Sequence, residues 1–149
     1  MKVIVSNKKA RHDYFILETL EAGLQLVGSE IKSIRLGKVN LNDSYITFKG
    51  GEAFVLNMHI SKYEFSNIFN HDELRTRKLL LHKREIIKLS SKMKEQGLSI
   101  IPLKLYIEKG LAKIEIALVK GKKDYDKRQT LKDKDEKMRL KKMSTKVKI

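Results

Sequence analysis

Apolar and polar residues alternate most regularly between positions 103 and 118. Leu103, Leu105 and Ile107 fall on one side of an extended segment, with Lys104, Tyr106 and Glu108 on the other. A period of two predicts a half-buried strand. The alternation resumes after Lys109-Gly110, where Ala112, Ile114, Ile116 and Leu118 oppose Lys113, Glu115 and Ala117, so an antiparallel hairpin is expected. A second hairpin should join residues 45–49 to 53–58 across Gly50-Gly51, two residues that can take the positive φ of a tight turn without a steric penalty. Residues 14–26, rich in aromatic and aliphatic side chains, read as a further strand broken at Gly23.

Helical periodicity is scarcer. Ser29 can cap a short helix that turns Ile31 and Ile34 inward and stops at Gly37. Residues 83–95 carry Ile86, Leu89 and Met93 as an apolar stripe, with Arg84, Lys88 and Lys92 on another face and Gly97 as the stop. Short strands with two or three short helices predict a mainly β fold, a closed β-barrel of the oligonucleotide-binding type with helices at its ends and side. Residues 61–73, with Tyr63, Phe65 and Phe69 scattered among polar groups, are given no regular structure. Beyond Val119 the larger aliphatic residues follow no continuous stripe, so the chain divides into a body, residues 1–119, and a tail, residues 120–149, expected to be disordered in isolation.

Charge sharpens that division. Residues 1–74 hold 9 Lys/Arg and 9 Asp/Glu, and residues 95–119 hold 3 of each, whereas residues 75–94 hold 8 against one and the tail 13 against 5. The net +15 is therefore concentrated in one patch and one tail. Focused positive potential attracts a polyanion through counterion release, and nucleic acid is the first partner implied. The absence of cysteine excludes thiol redox chemistry and suits a reducing cytoplasmic setting. No apolar run approaches a membrane span or the core of a signal peptide, so no membrane partner is expected. Four dispersed histidines lack metal spacing, and no phosphate loop, nucleophile elbow or paired carboxylates appear. An RNA-cleaving enzyme using His12, Asp13, His59 or His82 is poorly supported, since adjacent His12 and Asp13 are expected on opposite faces if their segment is extended. No cofactor is implied. A structural ribosomal protein or general RNA chaperone fits the composition equally well.

Seven motifs in order carry a resemblance that composition does not supply. They begin with Asn7-Lys8-Lys9-Ala10-Arg11-His12-Asp13-Tyr14-Phe15-Ile16 and Glu21-Ala22-Gly23, followed by Gly28-Ser29-Glu30-Ile31-Lys32-Ser33-Ile34-Arg35 with Gly37-Lys38 and by Asn42-Asp43-Ser44-Tyr45. Asn57-Met58-His59-Ile60-Ser61, the stretch Arg75-Thr76-Arg77-Lys78-Leu79-Leu80-Leu81-His82-Lys83-Arg84-Glu85, and Gly121-Lys122-Lys123-Asp124-Tyr125-Asp126-Lys127-Arg128 complete the set. The chain resembles the small protein B family, the tmRNA-binding proteins of bacterial trans-translation. Glu73 and Lys62 depart from positions where that family often has Pro, both within the 61–73 loop.

The resemblance implies rescue of stalled ribosomes by binding rather than catalysis. The body would hold the tRNA-like domain of tmRNA, and the tail would enter the vacant mRNA channel of the 30S ribosomal subunit beside its decoding centre. Elongation factor Tu would be met through aminoacylated tmRNA. Asn7, Glu21 and Leu80 are the implied RNA contacts, with Lys8, Arg11, Lys32, Arg35, Lys38 and Lys78 as basic neighbours. Each has a plainer alternative: Asn7 as a turn residue, Glu21 as an exposed acid at a strand end, Leu80 as core. In the tail the resemblance assigns Lys122, Lys123, Asp126, Lys127 and Arg128 to ribosome entry and Tyr125 to stacking on a decoding-centre base, where an aromatic packed at the tail's root is the plainer role.

Overall fold

Alternating burial, two glycine-bearing turns and one proline bulge organise the chain into a rolled antiparallel sheet. The computed structural model describes residues 2–65 and 70–123. In chain order it contains β1 (Lys2–Ser6), α1 (Ala10–Asp13), β2 (Tyr14–Leu24), α2 (Gly28–Arg35), β3 (Val39–Asn40) and β4 (Tyr45–Lys49). These are followed by β5 (Glu52–Leu56), β6 (His59–Ile60), β7 (Arg77–Leu80), α3 (Lys83–Gln96), β8 (Ser99–Glu108) and β9 (Leu111–Gly121). Both expected hairpins form. Gly50 and Gly51 have φ of 60° and 76°, and Lys109 and Gly110 have 52° and 77°, the pair of positive values that matches strand twist in two-residue turns. α3 ends at Gly97, whose φ of 61° is the left-handed stop the sequence suggests.

Seven strands lie in the order β1-β8-β9-β2-β7-β5-β4, and β3 and β6 form a separate antiparallel pair. The ladder has two ends, so among the described residues the expected closed barrel does not form. The sheet instead rolls until β4 lies alongside β8. Ile46 of β4 shares a buried core with Ile100 and Leu105 of β8, Ile114 and Ile116 of β9, and Ile86 and Leu89 of α3. Over residues 102–107, β8 has no edge to give to β4. Its residues 104–107 pair with β1, Pro102 has no N–H, and the Pro102 and Leu103 carbonyls accept the side-chain Nδ2 and backbone N–H of Asn7 at 3.2 and 2.7 Å.

The same proline corrects the simple alternation of β8. Its register against β9 shifts between Pro102 and Lys104. Leu103 is thereby turned away from Leu105 and joins Ile101, Ala117, Val119 and Ala10 in a second, smaller core. β2 runs through Gly23 without a break, pairing Gly23 with both Lys113 and Leu80. Ser29 lies inside α2 rather than capping it: its Oγ meets His71 Nδ1 at 2.9 Å in the interior, and the Glu30 carboxylate accepts from the Val27 N–H at 3.0 Å. The described part of the 61–73 loop has no helix or strand. It is tied down by Asn70, which bridges both backbone groups of Tyr63, and by His71 Nε2 to the Ile60 carbonyl at 2.8 Å.

Candidate nucleic-acid interface

Strand register assembles a polar face on the outside of the sheet. Lys104 of β8 pairs with Glu115 of β9, which pairs with Glu21 of β2. In the neighbouring row Tyr106, Lys113, Gly23 and Leu80 follow one another across β8, β9, β2 and β7. Side chains two residues apart share a face, so both rows look the same way, while Ala22, Leu24, Ile114, Ile116 and Leu105 face the core.

Glu21 sits at the centre. Tyr106 donates its hydroxyl to Glu21 Oε2, and Lys113 Nζ lies 3.0 Å from Oε1. The two hydrogen bonds, Tyr106 foremost, hold the Glu21 carboxyl below its ordinary range, while burial and the bond to Glu21 push the Tyr106 phenol up. Glu21 is therefore ionised and Tyr106 remains a donor at neutral pH. The carboxylate side chain keeps 50% of its surface exposed, so it can still accept from a ligand. Lys104 bridges toward Glu115 at 3.8 Å and lies 5.9 Å from the centre of the Tyr106 ring.

At one end of this face the turn before α1 fans out its cations. Ala10 plugs the second core at 2% exposure, which leaves Lys8, Lys9 and Arg11 outside. Asn7, Lys8 and Arg11 line a recess of about 300 Å³ together with Lys104 and Glu115. Lys8 and Arg11 have no ion-pair partner among the described residues. Asn7 commits its amide nitrogen to Pro102, leaving its Oδ1 without a hydrogen bond among the described residues. At the other end Leu80 is 54% exposed while Leu79 is 1% exposed. Leu80 lies over Gly23 so closely that a Cβ there would stand 3.2 Å from the Leu80 Cβ. Leu80 and Lys78, the latter paired with Glu52 at 2.9 Å, line a second recess of about 430 Å³ that runs to Ile86 of α3.

The remaining nominations form a separate group. Lys32 of α2 stands 5.4 Å from the Tyr63 ring centre, Lys38 pairs with Glu64 at 3.1 Å, and Arg35 is exposed. The basic stretch 75–94 is less of a surface patch than its composition implies. Arg77 is fully buried, donating to Glu30 and to the Met58 carbonyl at 2.5 Å, and Arg75 reaches Glu30 at 2.6 Å. Burial works to raise the Glu30 carboxyl, but hydrogen bonds from Arg75, the Val27 amide and Arg77 outweigh it and hold the group below its ordinary range. On α3, Lys88 and Lys92 close on Glu18 at 3.4 and 2.8 Å, so of the expected cation row only Arg84 has no acidic partner among the described residues.

Sequence reasoning missed Tyr106, Lys104 and Lys113 as parts of the site. Their signal was present in the alternation that set Lys104 and Tyr106 against Leu105, but nothing local says that Glu21 lies across from them. At the tail's root β9 continues to Gly121. Lys122 then donates its backbone N–H to the Asp13 carbonyl and its Nζ to the Arg11 carbonyl, both at 2.9 Å, with Nζ 5.1 Å from the Phe15 ring centre. Lys123 is exposed, and Tyr125, Asp126, Lys127 and Arg128 lie outside the described residues. Among the described residues no three His, Cys, Asp or Glu side chains are grouped to hold a metal, and no helix is long and apolar enough to cross a membrane.

Comparison with known proteins agrees with the motif resemblance. The SmpB family profile, described as "SmpB protein", matches residues 4–146. The SsrA-binding protein of Geobacillus thermodenitrificans is 63% identical over 134 residues, covering 90% of this chain and 86% of the relative. That of Bacillus pumilus is 60% identical over 139 residues, covering 93% and 89%. A solved structure described as "tmRNA-SmpB: a journey to the center of the bacterial ribosome" superposes with a TM-score of 0.68 at 46% identity, covering 80% of this chain and 85% of the solved one. With the profile spanning nearly the whole sequence and identity this high over nine-tenths of it, the chain belongs to the SmpB family of SsrA-binding proteins.

Proposed function

We propose that this protein binds tmRNA and acts with it in trans-translation on stalled ribosomes, by recognition and not by catalysis. The body grips the tRNA-like domain through the outer face of its sheet, and the tail, residues 120–149 with Lys122 and Lys123 at its root, engages the message channel and decoding centre of the small subunit in the cytoplasm. The observation that carries the first half is the convergence of Asn7, Lys8, Arg11, Glu21, Lys78 and Leu80, scattered over half the sequence, on one face. That face offers an RNA three kinds of contact. Lys8 and Arg11 supply phosphate neutralisation, Leu80 an apolar surface for a base or ribose, and Glu21 a fixed acceptor for an amino group or 2′-hydroxyl. Lys32, Arg35 and Lys38 offer a second, separate basic group beside α2.

A gel-shift titration against the tRNA-like domain of tmRNA and an equal mass of unrelated tRNA tests the reading. Preference for tmRNA by at least about tenfold at fixed salt is expected. Equal affinity for both would instead mark a general RNA chaperone. Truncation after Lys123 should leave tmRNA affinity within about tenfold while abolishing rescue on stalled ribosomes, since the outer face remains whole. Loss of tmRNA binding on truncation would overturn the division of labour.

A further inference from the structure

Glu21 is held differently from the similarly exposed Glu18, Glu52 and Glu64. Glu52 and Glu64 each meet a single ammonium on a flexible four-carbon stem, and Glu18 meets two. Such pairs cost side-chain entropy to hold in one geometry and leave the carboxylate free to rotate. Glu21 bonds in addition to the hydroxyl of a buried ring carried on a central strand. Tyr106 is 3% exposed, its backbone is flanked by β1 at Val3 and by β9 at Lys113, and the Lys104 ammonium stands 5.9 Å from the ring centre.

We propose that Tyr106 is a positioning residue for RNA recognition, its hydroxyl fixing the Glu21 carboxylate in one orientation so that the unused lone pairs face hydrogen-bond donors of the bound RNA. The inference rests on the reading that this outer face meets tmRNA. A carboxylate oxygen accepts from two directions, and the Tyr106 hydroxyl takes one on Oε2 and the Lys113 ammonium one on Oε1. The two directions left over point from a group whose rotation is blocked at both oxygens. Exocyclic amino groups and 2′-hydroxyls fit these acceptors, and a phosphate oxygen does not. A fixed negative charge within a basic surface thus rejects misplaced backbone while rewarding a donor, which is discrimination by penalty as well as by contact. Lys113, shared between Glu21 at 3.0 Å and Glu108 at 3.5 Å, tempers the repulsion felt by neighbouring phosphates.

The test is a double-mutant cycle with Tyr106→Phe, Glu21→Gln and the double variant in the full chain. Each is titrated against the tRNA-like domain of tmRNA and against unrelated tRNA at two salt concentrations, with melting temperature as the control for folding. Tyr106→Phe should weaken the tmRNA domain complex by about fivefold, leave unrelated tRNA unchanged and preserve the salt slope, because no phosphate contact is lost. In the Glu21→Gln background the same change should cost nothing further, since an amide no longer offers the oriented pair of acceptors. Additive losses, unchanged binding by Tyr106→Phe, or a uniform loss for both RNAs with a lowered melting temperature would each overturn the positioning role. If Glu21→Gln binds like the parent, the outer-face reading itself fails and the inference with it. If Glu21→Gln is weak and Tyr106→Phe is not, only the inference falls.

Discussion

Glu30 and Glu21 are both carboxylates held by two side-chain donors, and they sit in opposite surroundings. Glu30 is fully buried between Arg77 and Arg75 and joins α2 to the start of β7. Glu21 stands half exposed between Tyr106 and Lys113 and joins β2 to β8 and β9 without closing the site to solvent. The donors of the first come from two guanidiniums, and the other N–H groups of Arg77 are spent on the Met58, Asp72 and Glu73 carbonyls, which makes it a structural knot. Those of the second leave half the carboxylate to a ligand. Solvent access, more than charge, separates a group that holds the fold from one that can be read by RNA.

The contrast breaks most visibly at Arg77. Arg77→Leu takes from the buried Glu30 one of its two guanidinium partners and from the Met58 carbonyl its Arg77 donor, and should cost about 3–5 kcal/mol, on the order of 10 °C in melting temperature by calorimetry. Tight tmRNA binding below that lowered melting point would show that the knot serves stability alone. Acid should act on the same group. Because the folded Glu30 pKa lies below the ordinary 4.5, its contribution is complete above that value and is lost as pH falls through the lower folded pKa. Denaturant midpoints measured downward from pH 5 should therefore fall more steeply for the parent than for Glu30→Gln. Glu21→Ala should show the reverse profile, with tmRNA affinity reduced by about tenfold and melting temperature within about 2 °C of the parent. A large melting shift would make Glu21 structural after all. The smallest effect is expected from Gly23→Ala, whose Cβ at 3.2 Å must tip the exposed Leu80 outward. Two- to threefold weaker tmRNA binding (roughly 0.4–0.7 kcal/mol) with little change in stability is the expected result, and crystal or NMR contacts of Leu80 would report the tilt.

Legibility in the sequence followed the range of the interaction. Both hairpins and the end of α3 were readable because glycine at a positive φ is a local demand, met within a few residues. β1 and β7 were not. The Arg77-Lys78-Leu79-Leu80 run shows no alternation of apolar and polar residues, because its buried position is filled by an arginine whose partner lies on α2. The basic count over residues 75–94 misled for the same reason, since charge in a sequence does not announce that Glu18, Glu30 and Glu52 will fold against it. Leu80, which composition would place in the core, is outside because β7 alternates about Leu79. The Pro102 bulge reversed Leu103, and Asn7 took the Pro102 and Leu103 carbonyls, neither of which local alternation announces. For the site, the motif resemblance supplied Asn7, Glu21 and Leu80, whereas Tyr106 and Lys113 required the register of four strands to be known.

The backbone bond from Lys122 to the Asp13 carbonyl, doubled by its side chain on Arg11, has a mechanical meaning. Force applied to the chain beyond residue 123 is delivered first to the short helix that follows Asn7 and Lys8, and only afterwards to the β2–β9 ladder. Tension on one extremity is thus felt at the edge of the surface that would hold the nucleic acid, through two residues and no moving domain.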